Sequence, residues 1–351
     1  MFTYKSISKI LFLVTLIPSV QAQTAFSYLQ SGIQKAEIGD FESAIIDLKK
    51  SIEIDPQNAF TYYNLGTIKG KGLGDMNGAI IAFTKAIKLN PRYSLAYNNR
   101  GIAKKNLGDF TGASADYSKA IEIKPDYDIA HYNRGIAKKN LGDYKGAFAD
   151  YTNAIKINPN NALAYNNRAN LNYELLEYKF AISDYTKAIE IDRKYLDPYN
   201  NRGTLMNSLG KYDEAVSDFT QAIQIEPESP LAYYNRGSVR SKGLADTKRA
   251  IDDFNKSIEL DPNHYQSYNN RGNAKKYLGN INSAIEDFDQ AIDINPNYGI
   301  AYYNRGVAKQ ELGDNRGACF DYQKAIDFAN EGLRQWVQMQ IKGWCSERIE
   351  D

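Results

Sequence analysis

Two residue types of opposite charge recur in step along this chain. Arginine stands at Arg100, Arg134, Arg168, Arg202, Arg236, Arg271 and Arg305, and each is answered by an aspartate, at Asp116, Asp150, Asp184, Asp218, Asp253, Asp287 and Asp321. One earlier recurrence has Leu65 with Ala82, so both positions turn apolar together; the first has Ser31 with Asp47, which a hydroxyl satisfies. This joint change within one chain predicts a partly buried ion pair inside each recurrence. Loss of one partner should then cost roughly 3 kcal/mol.

A second series could bind rather than brace. Asn64, Asn99, Asn133, Asn167, Asn201, Asn235, Asn270 and Asn304 come one residue before the arginine position. Ahead of them stands another amide (Asn98, Asn166, Asn200, Asn269) or a ring (Tyr63, Tyr132, Tyr234, Tyr303). An amide offers both donors and acceptors, which suits a peptide backbone. Lys104, Lys105, Lys138, Lys139, Lys275 and Lys276 add basic points and a preference for acidic partners.

No set of catalytic groups is assembled. The 351 residues hold two histidines and two cysteines, and His131 and His264 fall in different recurrences, so no metal site is expected. No phosphate-cradling glycine motif or nucleophile elbow occurs. The reading is therefore no enzyme, no cofactor and no metal. With 43 Lys and Arg against 42 Asp and Glu, the net charge of +1 argues against nucleic acid as a partner. Hydrophobic content of 43% with 12% aromatics argues against disorder.

The spacing of these residues comes from a repeated pair of helices. Pro56, Pro91, Pro125, Pro159, Pro227, Pro262 and Pro296 fall 34 or 35 residues apart, apart from one double step in which Arg193 takes a proline's place. Steps of 35 carry one extra residue in an internal turn, at Lys69-Gly70-Lys71-Gly72 and at Ser241-Lys242-Gly243. In Ala96–Pro125, Tyr97 and Gly101 share one helical face, Leu107-Gly108-Asp109 makes a turn, and Ala113, Tyr117, Ala120 and Ile121 mark a second helix that Lys124-Pro125 stops. An alanine heads all nine second helices, from Ala44 to Ala318, and an aromatic follows four residues later in eight. A glycine recurs on the first helix, with Ala169 in the fifth unit. Small residues let helix backbones approach while a ring fills the space beside them.

Period, glycine, alanine, aromatic and proline together resemble the tetratricopeptide repeat (TPR) family, over roughly Ala25–Asn330. The resemblance implies an all-α, right-handed α-solenoid of nine TPR hairpins, with first helices lining a concave groove that binds other proteins or peptides. The chain departs from the family in its Tyr at the first aromatic position and its Arg before the glycine. On that frame the eight asparagines, with Lys105, Lys139 and Lys276, are the candidate peptide contacts, about one helix spacing apart and so one per three residues of extended ligand. A scaffold or adaptor is the first reading. A self-associating element of an envelope assembly is the alternative, and light scattering separates the two.

The ends carry their own signals. Lys5 and Lys9, the apolar run Ile10–Val20 and the small residues of Val20-Gln21-Ala22 read as a secretory signal peptide over residues 1–22. The eleven apolar residues fall short of the roughly 20 that span a bilayer, so no transmembrane segment remains after removal. The repeats then run over 23–330, outside the cytoplasm, in a bacterial periplasm or the extracellular space. Over 331–351 a last helix with Leu333, Trp336, Val337, Met339, Gln340, Ile341 and Trp344 is expected to cap the open end. Cys319 opens the ninth second helix and Cys345 closes the cap. Antiparallel packing would bring them together as a disulfide in an oxidising compartment.

Overall fold

A computed structural model describes residues 20–243, 245–328 and 331–341 together with Cys345. The sequence-predicted signal peptide lies, up to residue 19, outside the described residues. The described residues form helices only, and the chain divides into two units, residues 1–160 and 161–351.

The first unit holds four hairpins: α1 (Val20–Glu37) with α2 (Phe41–Ile54), α3 (Ala59–Thr67) with α4 (Met76–Leu89), α5 (Ser94–Asn106) with α6 (Phe110–Ile123), and α7 (Asp128–Asn140) with α8 (Tyr144–Ile157). The second unit holds five and a last helix. They are α9 (Ala162–Glu174) with α10 (Tyr178–Ile191), α11 (Leu196–Ser208) with α12 (Tyr212–Ile225), α13 (Pro230–Lys242) with α14 (Thr247–Leu260), α15 (Tyr265–Tyr277) with α16 (Ile281–Ile294), and α17 (Gly299–Glu311) with α18 (Asn315–Asp327), followed by α19 (Glu331–Ile341). Within each unit a first helix packs on its own second helix, and that second helix packs on the next first helix.

The core of each hairpin follows from its small and large residues. All nine alanines that head the second helices are fully buried. The rings four residues on, such as Tyr117, Tyr151, Phe254 and Phe288, are fully buried as well. A Cβ added at Gly135 would stand 2.6 Å from Tyr151 Cε1, so the glycine makes room for the ring. The turns are made in the same way in most hairpins. Gly108 adopts φ 82°, Gly108 N donates to Lys105 O and Asp109 N to Lys104 O, and the Asp109 side chain then accepts from Gly112 N at 2.8 Å. Those bonds satisfy the last carbonyls of one helix and cap the next. The fifth hairpin breaks the rule: Leu176, not glycine, takes φ 62°. Arg193 is tolerated where proline is expected because Asp192 still closes the loop, accepting from Lys194 N at 2.9 Å.

The extra residue of the second hairpin is absorbed by a widened turn over Ile68–Gly72, where Leu73 N donates to Ile68 O at 3.1 Å. At the end of the second unit, α19 packs on α18. Of the predicted apolar stripe, Val337 is fully buried, Trp336 is half exposed and meets Tyr303 edge-on at 4.8 Å, and Met339 is exposed. The side chains of Leu333, Gln340 and Ile341, and all of Trp344, lie outside the described residues. Cys319 and Cys345 stand at disulfide distance, with Cα atoms 5.7 Å apart.

Candidate functional site

The arginines of the first helices close forks on the second helices. Arg100 Nε and Nη2 donate to Asp116 Oδ2 and Oδ1 at 2.9 and 2.6 Å. The same two-pronged geometry joins Arg134 to Asp150, Arg168 to Asp184, Arg202 to Asp218, Arg271 to Asp287 and Arg305 to Asp321. Arg236 reaches Asp253 by the same two nitrogens at 2.7–3.2 Å. The second hairpin, with Leu65 and Ala82 at the two positions, has neither charge.

Two partners of this fork are not evident from the pairing alone. A second cation one helical turn on binds the same carboxylate: Lys104 at 2.8 Å from Asp116, Lys138 at 2.9 Å from Asp150, Lys275 at 2.8 Å from Asp287, Lys309 at 2.9 Å from Asp321 and Arg240 at 2.7 Å from Asp253. Three of the lysines read as groove cations, Lys104, Lys138 and Lys275, therefore turn inward. The remaining arginine nitrogen reaches the preceding hairpin. Nη1 of Arg100 donates to Thr84, of Arg134 to Ser118, of Arg202 to Thr186, of Arg236 to Thr220, of Arg271 to Asn255 and of Arg305 to Asp289. Each of these arginines thus ties two successive second helices together. The signal was present: every acceptor stands immediately after the core ring.

Burial and pairing compete at these carboxylates. Burial pushes Asp150 up, but the bonds from Arg134 and Lys138 outweigh it and hold the carboxyl well below the usual range. Asp218 has Arg202 alone, since Met206 stands where five of the others have a second cation and Asp184 has the amide of Asn172, donating at 3.3 Å; burial wins there and its pKa is raised. His131 sits against Asp150, Nδ1 at 3.6 Å from Oδ1, with Nε2 near Pro125 O at 3.1 Å, a packing position.

The asparagines face along the row of first helices. Asn99 Nδ2 donates to the Tyr63 hydroxyl at 3.1 Å, and Asn133 Nδ2 to Asn98 Oδ1 at 3.0 Å. In the second unit Asn201 donates to Asn166 and Asn170 at 3.4 and 3.2 Å, Asn270 to Ser238 at 3.2 Å and Asn304 to Asn269 at 2.8 Å. Asn98, Asn133, Asn166 and Asn269 are buried, not turned to solvent. Asn64 donates to Phe60 O of its own helix at 2.8 Å, and Asn167 and Asn235 occupy the same register on α9 and α13. A helical wheel gives the angle of a side chain from its own hairpin, but not where the next hairpin sits. Of the remaining lysines, Lys276 lies 3.4 Å from Glu311 of the next first helix, and Lys105 and Lys139 are half-buried near the ends of α5 and α7.

Stacked helix hairpins with one internal ion-pair pattern define a repeat scaffold. Tetratricopeptide repeat profiles match at residues 27–58, 61–93, 231–264 and 300–331, at 82–113, 184–217 and 254–286, and at 129–161. A further TPR profile matches 105–142, 205–242 and 272–313. The chain belongs to the tetratricopeptide repeat family, whose members serve as protein-interaction scaffolds. No curated protein matches its sequence. Among solved structures it is similar to a TPR protein from Parabacteroides merdae, at 20% identity and TM-score 0.53 over 70% of this chain and 98% of that one. It is also similar to the C-terminal part of a TPR protein from Cytophaga hutchinsonii, at 16% identity and TM-score 0.56, covering 66% and 96%. YrrB, described as a TPR protein with an unusual peptide-binding site, matches at 27% identity and TM-score 0.44, covering 54% and 97%.

Proposed function

We propose that the chain is an exported adaptor that binds an extended polypeptide along the first-helix face of its repeats. The observation that carries this reading is the cross-helix amide ladder. Each bond seen uses one donor or one lone pair of an amide that has two of each. The rungs therefore hold Asn99, Asn201, Asn270 and Asn304 in fixed orientation with hydrogen-bonding capacity to spare, and preorganised groups lose less freedom on binding. Buried Asn133 acts as a rung for Asn99's neighbour rather than as a contact. Lys105 and Lys139 give the face its preference for acidic segments.

Export is supported by the basic and apolar pattern before Ala22 and by the cysteine pair, a bond that persists in oxidising compartments. No helix among the described residues is long and apolar enough to cross a membrane. The test is selection of random dodecapeptides on the full chain from residue 23, with light scattering alongside. Enriched acidic, extended binders to a monomer support the adaptor; no enrichment, with concentration-dependent assembly, rejects it.

A further inference from the structure

The second hairpin differs from its neighbours in three ways that converge on one place. It lacks the ion-pair fork, having Leu65 and Ala82. Its first helix ends in the widened turn Ile68–Gly72, where Gly70 and Gly72 carry no side chain. Two cavities open on either side of it. One, of about 310 Å³, lies toward α4 and α5, with Met76, Ala79, Phe83, Ile102 and Ala103 in its wall. The other, of about 260 Å³, lies toward α1 and α2, with Ile33, Ala36, Phe41 and Ile68. Thr67 and Lys71 border both. Each cavity is large enough for a leucine-sized side chain and is walled mainly by apolar groups.

The charges around the turn select what lies between the cavities. Lys69 is engaged by Asp75 at 3.2 Å. Lys71 is exposed and, among the described residues, bonded to no carboxylate, so its ammonium is open to an incoming anion. Glu37 at the edge of the smaller cavity disfavours acid there. The cavities flank one helix, and packed helix axes lie about 8–10 Å apart. A polyproline-type chain repeats its facing side chain every three residues, about 9 Å. A strand offers about 7 or 13 Å instead, which fits less well.

We propose that this turn is the specificity site of the chain: two apolar side chains three residues apart enter the two cavities, and a carboxylate between them binds Lys71. The proposal rests on the reading that the first-helix face binds extended polypeptide, and it names the sequence pattern that this face prefers.

The test is fluorescence anisotropy with the full chain from residue 23 and a labelled Gly-Ser-flanked Leu-Asp-Pro-Leu peptide. Replacing both leucines by serine, moving them two residues apart, or replacing Asp by Lys should each weaken binding at least tenfold. Lys71→Glu should reverse the preference between the Asp and Lys peptides. Asn106→Trp, at an exposed position on the rim of the larger cavity, should weaken binding about tenfold without altering the circular dichroism spectrum. Binding that is unchanged by both substitutions overturns the site. So does failure of the peptide to bind; if selected dodecapeptides still bind, the broader reading stands alone, and if none binds, both fall.

Discussion

The joint exchange of Arg and Asp for Leu and Ala in the second hairpin can be rebuilt in the fourth. Asp150→Ala leaves Arg134 and Lys138 facing each other, with side chains 18% and 24% exposed. That exposure tempers the cost, which for a fully buried pair is 3–5 kcal/mol; about 3 kcal/mol is expected. Arg134→Leu loses the bond to Ser118, about 1 kcal/mol, and one of the two cations on Asp150, about 1 more. Independent sites would then sum to about 5 kcal/mol. The double variant should cost only about 2 kcal/mol, because no charge is stranded. Lys138 can turn to Asp143, as Lys69 turns to Asp75 where the fork is absent. The coupling of about 3 kcal/mol would be read from urea unfolding, with hydrogen exchange on α7 and α8 localising it. A double variant as unstable as the sum of the singles refutes the reasoning.

Three further outcomes follow from single residues. Leu176→Gly should stabilise the chain by about 0.5–1 kcal/mol in thermal or urea unfolding, because the left-handed backbone costs leucine about 1–2 kcal/mol and glycine's added freedom takes back about half; the side chain is 70% exposed and gives up little. Asp218 and Asp150 should titrate on opposite sides of 3.8 by carbon-detected NMR. Asp150, whose folded pKa is depressed, supports stability above the unfolded value and loses it as pH falls through the folded one. Asp218, whose folded pKa is raised, takes up a proton on folding, so its contribution declines as pH rises from 3.8 through that value. Met206→Lys should bring Asp218 down, and an unmoved titration would contradict the second-cation account. Cys319→Ser should leave the repeats folded but lower stability by roughly 3 kcal/mol, the loop-closure figure for a link of this length; intact-mass measurement without reductant that finds two free thiols removes the basis for that prediction.

The hairpins were legible because their cause is local. A 34-residue recurrence of glycine, alanine and ring specifies two helices and their contact, and Gly135 with Tyr151 is that contact in atoms. The direction of the asparagines was harder to read, because it depends on how one hairpin sits on the next, a packing angle that no single unit encodes. Asn98 and Asn133 look outward on the wheel of one helix and prove to be each other's partners. The inward turn of Lys104 and Lys138 has the same origin: a lysine one turn beyond the arginine is within reach of the same aspartate only once the second helix is placed. The widened turn at Ile68–Gly72 was visible as an extra residue, but its two cavities depend on how α1, α2, α4 and α5 pack around it.

Hydrogen exchange with and without a selected peptide tests the account most directly. Binding along the first helices predicts added protection on α3, α5 and α7, with α4, α6 and α8 little changed. Protection confined to the second helices, or spread evenly over both, would contradict it.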